Sequence, residues 1–191
     1  MTLSRSLIAG FDAAYSQDGR LQTGAWAVWS HREKRLVDCA GGRRADPPPY
    51  IPGRFYHREC GLAVELLRKL KTRPDLLLID GHGQAHPKGH GLACHIGEQA
   101  GLPAIGIAKE LLCGKVGSLS PERGAKAPIS YEGKTVGMAV RTVTGVRPVF
   151  VSVGFDIGLD EAVRCVLECS VFRIPEPLRE AHRLAGMALH E

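Results

Sequence analysis

The stretch Pro74-Asp-Leu-Leu-Leu-Ile-Asp-Gly-His-Gly-Gln-Ala-His-Pro87 limits what this chain can fold into more than any other. Its apolar run, residues 76–79, is too short for a helix and is flanked by turn formers. Such a run reads as a strand buried on both faces, which requires a sheet covered on both sides. The run stops at Asp80, and Gly81, His82 and Gly83 follow. An acid at the C-terminal end of a buried strand, opening a glycine-rich turn, sits where open α/β sheets bind their ligands. The segment supplies a hard oxygen ligand, two candidate proton carriers in His82 and His86, and glycines that let another backbone approach.

The rest of the chain supplies such a sheet. Residues 7–15 read as a first strand with one odd member, Asp12, an acid in an otherwise apolar run. A buried carboxylate without a partner costs several kcal/mol, on the order of magnitude, so Asp12 calls for a cation or a hydrogen-bond donor. A turn at 16–19 leads to a second strand at 22–30, and a third follows at 35–40. Three strands joined by short turns make an antiparallel meander. Residues 41–49 read as a Gly-, Arg- and Pro-rich loop carrying Arg43 and Arg44. Leu62, Leu66, Leu67 and Leu70 fall on one face of a helix over 56–71, with Glu59 in its first turn. After the buried strand come a helix at 91–100, a strand at 103–108 ending at Lys109, and a polar excursion at 117–133. Strands at 135–142 and 148–153, a helix at 159–171 and a closing helix at 178–189 complete the order. The class is α/β. A mixed central sheet has three antiparallel strands followed by parallel strands, with helices on both faces, and the order matches the ribonuclease H-like fold.

Composition narrows the remaining choices. With 191 residues and 44% apolar content the chain has enough material for one domain with a real core. The net charge of +5 is compatible with a polyanionic partner without demanding one. No apolar run is long enough to span a membrane, and residues 1–6 carry no signal-peptide core, so a cytoplasmic setting is expected. The six cysteines form no C-x-x-C pair, which argues against a zinc ribbon. Cys165 and Cys169, one helical turn apart, read as core packing.

Three blocks in this order resemble the endonuclease V family. They are Ala9-Gly-Phe-Asp-Ala-Ala-Tyr15, then Tyr50-Ile-Pro-Gly53 with Arg58-Glu59, then residues 74–87 continuing to Leu102-Pro-Ala-Ile-Gly-Ile-Ala-Lys109. Arg173-Ile-Pro-Glu-Pro-Leu-Arg179 adds to the match, which runs from about residue 8 to 183. The resemblance implies a single domain over 1–191 and a deoxyinosine-directed repair endonuclease. It implies cleavage of the second phosphodiester bond 3′ to inosine, in DNA or RNA, leaving 3′-hydroxyl and 5′-phosphate ends. Asp12, Glu59 and Asp80 are then the ligands of Mg²⁺, with Mn²⁺ as an alternative, and His86 and Lys109 join them in catalysis. Tyr50, braced by Ile51 and Pro52, is the expected wedge into the duplex. Gly81, His82 and Gly83 complete the nucleic-acid contacts, and a monomer is expected. Two or three acids suffice for Mg²⁺, which keeps several waters of its own.

The chain departs from the family in two places. It begins close to its first strand, without the helical segment typical of the family. Where the family carries a histidine directly after Val-Gly, at a position taken to lie at the metal-bound site, this chain has Phe155. Phenylalanine neither ligates a metal nor moves a proton, so the expectation is slow cutting. The alternative is a module that binds inosine-containing or branched strands and cleaves them weakly or not at all. Beside these readings, Asp75 is expected to serve as a hydrogen-bond acceptor, and His90 and His95 as structural or surface residues.

Overall fold

The computed structural model describes residues 6–49 and 56–190. In chain order it contains β1 (Leu7–Tyr15), β2 (Leu21–Ser30), β3 (Arg35–Ala45), α1 (Tyr56–Leu67), β4 (Leu76–Asp80), α2 (Leu92–Ala100) and β5 (Ala104–Ala108). These are followed by β6 (Lys115–Val116), β7 (Lys126–Tyr131), β8 (Lys134–Val140), β9 (Val149–Phe155), α3 (Leu159–Glu168) and α4 (Glu176–His190). The strands form one sheet in the order β3-β2-β1-β4-β5-β9-β8-β7-β6. β1 is antiparallel to β2 and β2 to β3, while β4 is parallel to both β1 and β5. This is the ribonuclease H-like arrangement, and it sets β4 in the interior between β1 and β5, as its unbroken apolar run requires.

Alternation along the strands sorts the core into two layers. Ala9, Phe11, Trp26, Val28, Leu77 and Ile79 pack against α1 and α2. Ile8, Leu76, Leu78, Ile105, Ile107 and Val151 pack against α3 and the start of α4. Trp26 uses its polar edge as well, its Nε1 donating to the Ala63 carbonyl of α1 at 2.7 Å. By the same alternation Gly10, Asp12 and Asp80 face the α3/α4 layer. α4 lies directly on β1 because residue 10 has no side chain: a Cβ there would stand 2.3 Å from the Pro177 carbonyl. Pro177 itself lies in the first turn of α4, where its missing N–H costs nothing.

Three features differ from the sequence reading. β3 continues through Gly41, Gly42, Arg43 and Arg44 to Ala45, all paired with β2. The glycines fit because Leu66 of α1 fills the space over Gly42. The stretch read as a polar excursion contains β7, whose buried Ala127 and Ile129 alternate with exposed Lys126, Pro128 and Ser130. Pro128 is tolerated because β6 pairs only with Ile129 and Ser130, leaving Pro128 on an edge. Finally, β9 runs antiparallel to β5, and β8 antiparallel to β9.

Candidate active site

The parallel register of β1 and β4 matches Phe11 with Ile79, so Asp12, within β1, and Asp80, at the C-terminal end of β4, follow side by side on neighbouring strands. Both project under α4. Asp12 is buried; its Oδ1 accepts the N–H of Ala13 at 2.8 Å and its Oδ2 lies 2.7 Å from Nδ1 of His182. Asp80 pairs with Lys109 Nζ at 2.5 Å. Lys109 is held by the chain behind it, because the Arg173 guanidinium donates to the carbonyls of Lys109 at 2.7 Å and Pro148 at 3.0 Å. The Arg173-Ile-Pro segment is therefore a brace that joins the end of β5 to the start of α4.

Glu59 reaches the same place from the opposite layer. It lies in the first turn of α1, 4% exposed, and accepts a hydrogen bond from the Tyr15 hydroxyl at 3.0 Å. Tyr15 is in turn held by Gln22 Nε2 at 3.1 Å and by the Arg58 guanidinium, 4.2 Å from its ring centre. Burial, opposed by the Tyr15 hydroxyl and reinforced by the charges of Asp12 and Asp80, pushes the Glu59 carboxyl up to about 8. Burial and then the Asp80 charge raise Asp12 as well, opposed by its bond to His182. For Lys109, burial alone would lower the ammonium, but attraction to Asp80 outweighs it and the group is raised. Three carboxylates thus act on one another in a poorly hydrated spot. That donor set fits a hard divalent cation, whose charge would relieve the repulsion that Lys109 and His182 only partly offset.

A cavity of about 490 Å³ opens over the acids, lined by Asp80, Lys109, Ile174, Leu178, Arg179, Glu180, His182 and Arg183. Its wall carries Lys109, Arg179 and Arg183, paired with Asp80, Glu176 and Glu180, beside the apolar Ile174 and Leu178. This combination suits a phosphate backbone with a base beside it.

The other expected residues are distributed unevenly. Tyr50, Ile51 and Pro52 lie outside the described residues. Gly81, His82 and Gly83 form the turn after β4, but the N–H groups of Gly81 and Gly83 are already donated, to the Ile107 carbonyl at 3.1 Å and the Ser152 hydroxyl at 2.9 Å. Gly83 must be glycine, since a Cβ there would come within 2.0 Å of the Val153 carbonyl. His82 has a buried Nδ1 without a partner among the described residues, and burial pushes its pKa down to about 4. His86 is buried in the same loop, where its Nδ1 accepts the Lys88 N–H at 3.1 Å. Its charged neighbours are Lys88 and His90 rather than the acids. Asp75 accepts the N–H groups of Ser6 and Leu7, both at 3.0 Å.

Phe155 is a correction. It pairs with Ala104 at the start of β5, whereas Asp80 pairs with Ile107 near its end. Three residues along a strand is about 10 Å, and two strand spacings add about 10 Å sideways. Phe155 belongs to the apolar layer with Ala104 and Leu102 and lies over Gly97 of α2. The cause is the antiparallel sense of β9, which carries its last residue to the end of the sheet away from the acids. Residue 155 has no access to the chemistry here, so it gives no ground for expecting impaired cutting.

His182 is the residue that sequence reasoning missed. It lies one turn beyond Leu178, beside the buried stripe Leu178, Ala181, Ala185, with most of its ring exposed and only its Nδ1 edge turned to Asp12. A histidine bordering an apolar helical stripe was the available signal, and only the docking of α4 on Gly10 gives it a partner.

The family model for endonuclease V matches residues 2–183. The endonuclease V of Roseiflexus castenholzii is 42% identical over 180 residues, covering 94% of this chain and 80% of that protein. The crystal structure of endonuclease V from Streptomyces avermitilis superposes with a TM-score of 0.93 at 36% identity, over 97% of this chain and 82% of that one. The Ciona intestinalis endonuclease V, solved with a 24mer DNA containing an inosine followed by a ribo-adenosine, has the same fold. Its TM-score is 0.85 at 24% identity, over 98% of this chain and 87% of that one.

Proposed function

This chain belongs to the endonuclease V family, and from that premise we propose that it is a Mg²⁺-dependent endonuclease cutting the second phosphodiester bond 3′ to inosine in DNA or RNA. The observation that carries the reading is the pairing of Asp12 with His182 beside that of Asp80 with Lys109, at the edge of one cavity that Arg179 and Arg183 also line. The inosine-bearing DNA bound by the Ciona relative supports the choice of substrate.

Each residue then has a task that follows from its contacts. Asp12, Asp80 and Glu59 hold the cation. When bound there, Mg²⁺, or Mn²⁺ in its place, supplies charge neutralisation and a more acidic water. Lys109 sits at the end of β5 with its ammonium against Asp80, positioned to share its charge with a phosphate oxygen entering the cavity. Asp12 accepts from Nδ1 of His182 and so fixes the ring's tautomer, leaving Nε2 to take or give a proton on the cavity side. Tyr15 and Gln22 keep the Glu59 carboxylate pointed inward. Arg179 and Arg183 contribute backbone attraction without sequence preference, while a wedge at Tyr50 opens the stack beside the lesion. One domain over residues 1–191 carries out the whole reaction. No helix among the described residues is long and apolar enough to cross a membrane.

The test is cleavage of end-labelled single and double strands, DNA and RNA, each with one inosine or none, in Mg²⁺, in Mn²⁺ and in EDTA. The expected product ends one nucleotide beyond inosine with a 3′-hydroxyl. Equal cutting of unmodified strands, or cutting in EDTA, would overturn the reading.

A further inference from the structure

On the layer of the sheet opposite α4, three potential metal ligands converge. His95 and Glu98 are three positions apart on α2 and share one side of that helix, and His90 stands in the turn just before it. One ligand atom from each lies within 4.8 Å of the other two. His90 Nε2 and Glu98 Oε2 are 3.2 Å apart. Two ligands on a tetrahedral ion, each about 2.0–2.1 Å from it, are separated by about 3.3 Å, so this pair already stands at the right spacing.

The ring orientations are set by packing. His95 lies flat on Tyr56 with centroids 3.7 Å apart and planes 19° apart, and Tyr56 stacks on His57 at 4.1 Å. His90 meets His95 edge-on at 4.4 Å and 85°. Perpendicular imidazoles suit two ligands approaching one ion from different directions. Burial and the neighbouring His90 also hold His95 below the usual histidine range, in the neutral form that binds metal. Both histidines are half-buried and Glu98 is exposed, so the remaining coordination positions open to water.

We propose that His90, His95 and Glu98 form a second cation site, separate from the three acids, that takes a borderline transition metal of the Zn²⁺ class. The donor chemistry separates the two. Asp12, Asp80 and Glu59 offer only oxygens, which suit Mg²⁺, whereas two imidazoles and one carboxylate suit Zn²⁺, Co²⁺ or Ni²⁺. A bound ion clips the end of the loop after β4 to α2. Through the Tyr56 stack it also bears on the first turn of α1, the turn that carries Glu59.

Co²⁺ is the probe, because its visible absorption reports ligand number and type. The full chain carrying Asp12→Asn and Asp80→Asn, which disable the acid site, is titrated with Co²⁺ and then with Zn²⁺. One equivalent should produce the bands of a low-coordinate nitrogen and oxygen site, and Zn²⁺ should abolish them. Adding His90→Ala or Glu98→Gln should weaken binding by about tenfold or more, at least the loss seen when a supporting residue of a metal site is removed. Glu98→Gln is a conservative change at an exposed position, and thermal melts without metal confirm that each variant is folded. Absence of the bands in the acid-site variant, or equal affinity with and without His90 and Glu98, overturns the proposal.

Discussion

The two ends of the β4–β5 strand pair have the same backbone and opposite chemistry. At the C-terminal ends the strands deliver the Asp80–Lys109 pair, with Asp12 of β1 paired to His182 of α4 beside it. At the other end Ala104, Leu102 and Phe155 form part of the apolar layer under α2. One end concentrates carboxylates whose repulsion Lys109 and His182 only partly offset, and the other is apolar except for Asp75, which is tied to the backbone N–H groups of Ser6 and Leu7. The difference shows that a residue's access to the chemistry depends on which way its strand runs, not on how close its motif looks in sequence.

The largest expected effect is at the polar end. Asp80→Ala or Asp12→Ala should lower single-turnover cleavage of an inosine strand by at least about 10²–10³-fold, the scale of losing one group that stabilises developing charge. Melting in EDTA should be unchanged or higher, because one source of repulsion is gone. Retained cleavage at the same Mg²⁺ concentration would break the assignment. His182→Ala should cost about 10²-fold if the ring moves a proton. Recovery of the rate in His182→Asn, which keeps a donor to Asp12 but cannot move a proton, would make His182 only a support for Asp12.

Glu59 offers a thermodynamic test of the same end. Its folded pKa, about 8, is above its ordinary value of 4.5. The folded protein therefore holds that proton more tightly than the unfolded chain. The resulting stability is fully present below pH 4.5 and lost as pH rises through 8. In EDTA, wild type should lose stability relative to Glu59→Gln over that window, by up to about 1.4 kcal/mol per pH unit. Denaturant titrations at pH 5 and 8 would measure it. Mg²⁺ added at pH 8 should favour the wild type. A constant difference across pH would mean that Glu59 is not in the buried, repelled state described. The smallest effect belongs to the apolar end. Phe155→His should leave the cleavage rate unchanged and cost about 1–2 kcal/mol, since it places a polar ring in a half-buried apolar contact. A faster mutant would bring the two ends into one site and undo the comparison.

What sequence could supply follows from the range of each interaction. The bounds of β1, and the places of Asp12 and Asp80 on their strands, were legible because periodicity and strand-end chemistry are local, whereas Glu59 was singled out only by the resemblance. Pairing partners were not. Gly41 and Gly42 look like loop until β2 lies beside them. Ala127 and Ile129 look like part of a coil because Pro128 stands between them. His182 is unremarkable until the backbone of Pro177 rests on Gly10. The orientation of β9 decided the place of Phe155, and nothing in residues 149–155 encodes whether they run with β5 or against it.

The bond between Asp12 and His182 joins positions 170 residues apart. That separation has a consequence for the order in which the molecule acquires its activity. Closing so long a loop is entropically slow compared with forming the β1–β2 hairpin or α2, so α4 should dock after the rest of the sheet exists. A nascent chain still lacking residues 176–190 would hold Asp12 and Asp80 without the helix that covers them. Cutting competence would then appear in one late step, and a partly synthesised or partly unfolded chain would be harmless to the nucleic acid around it.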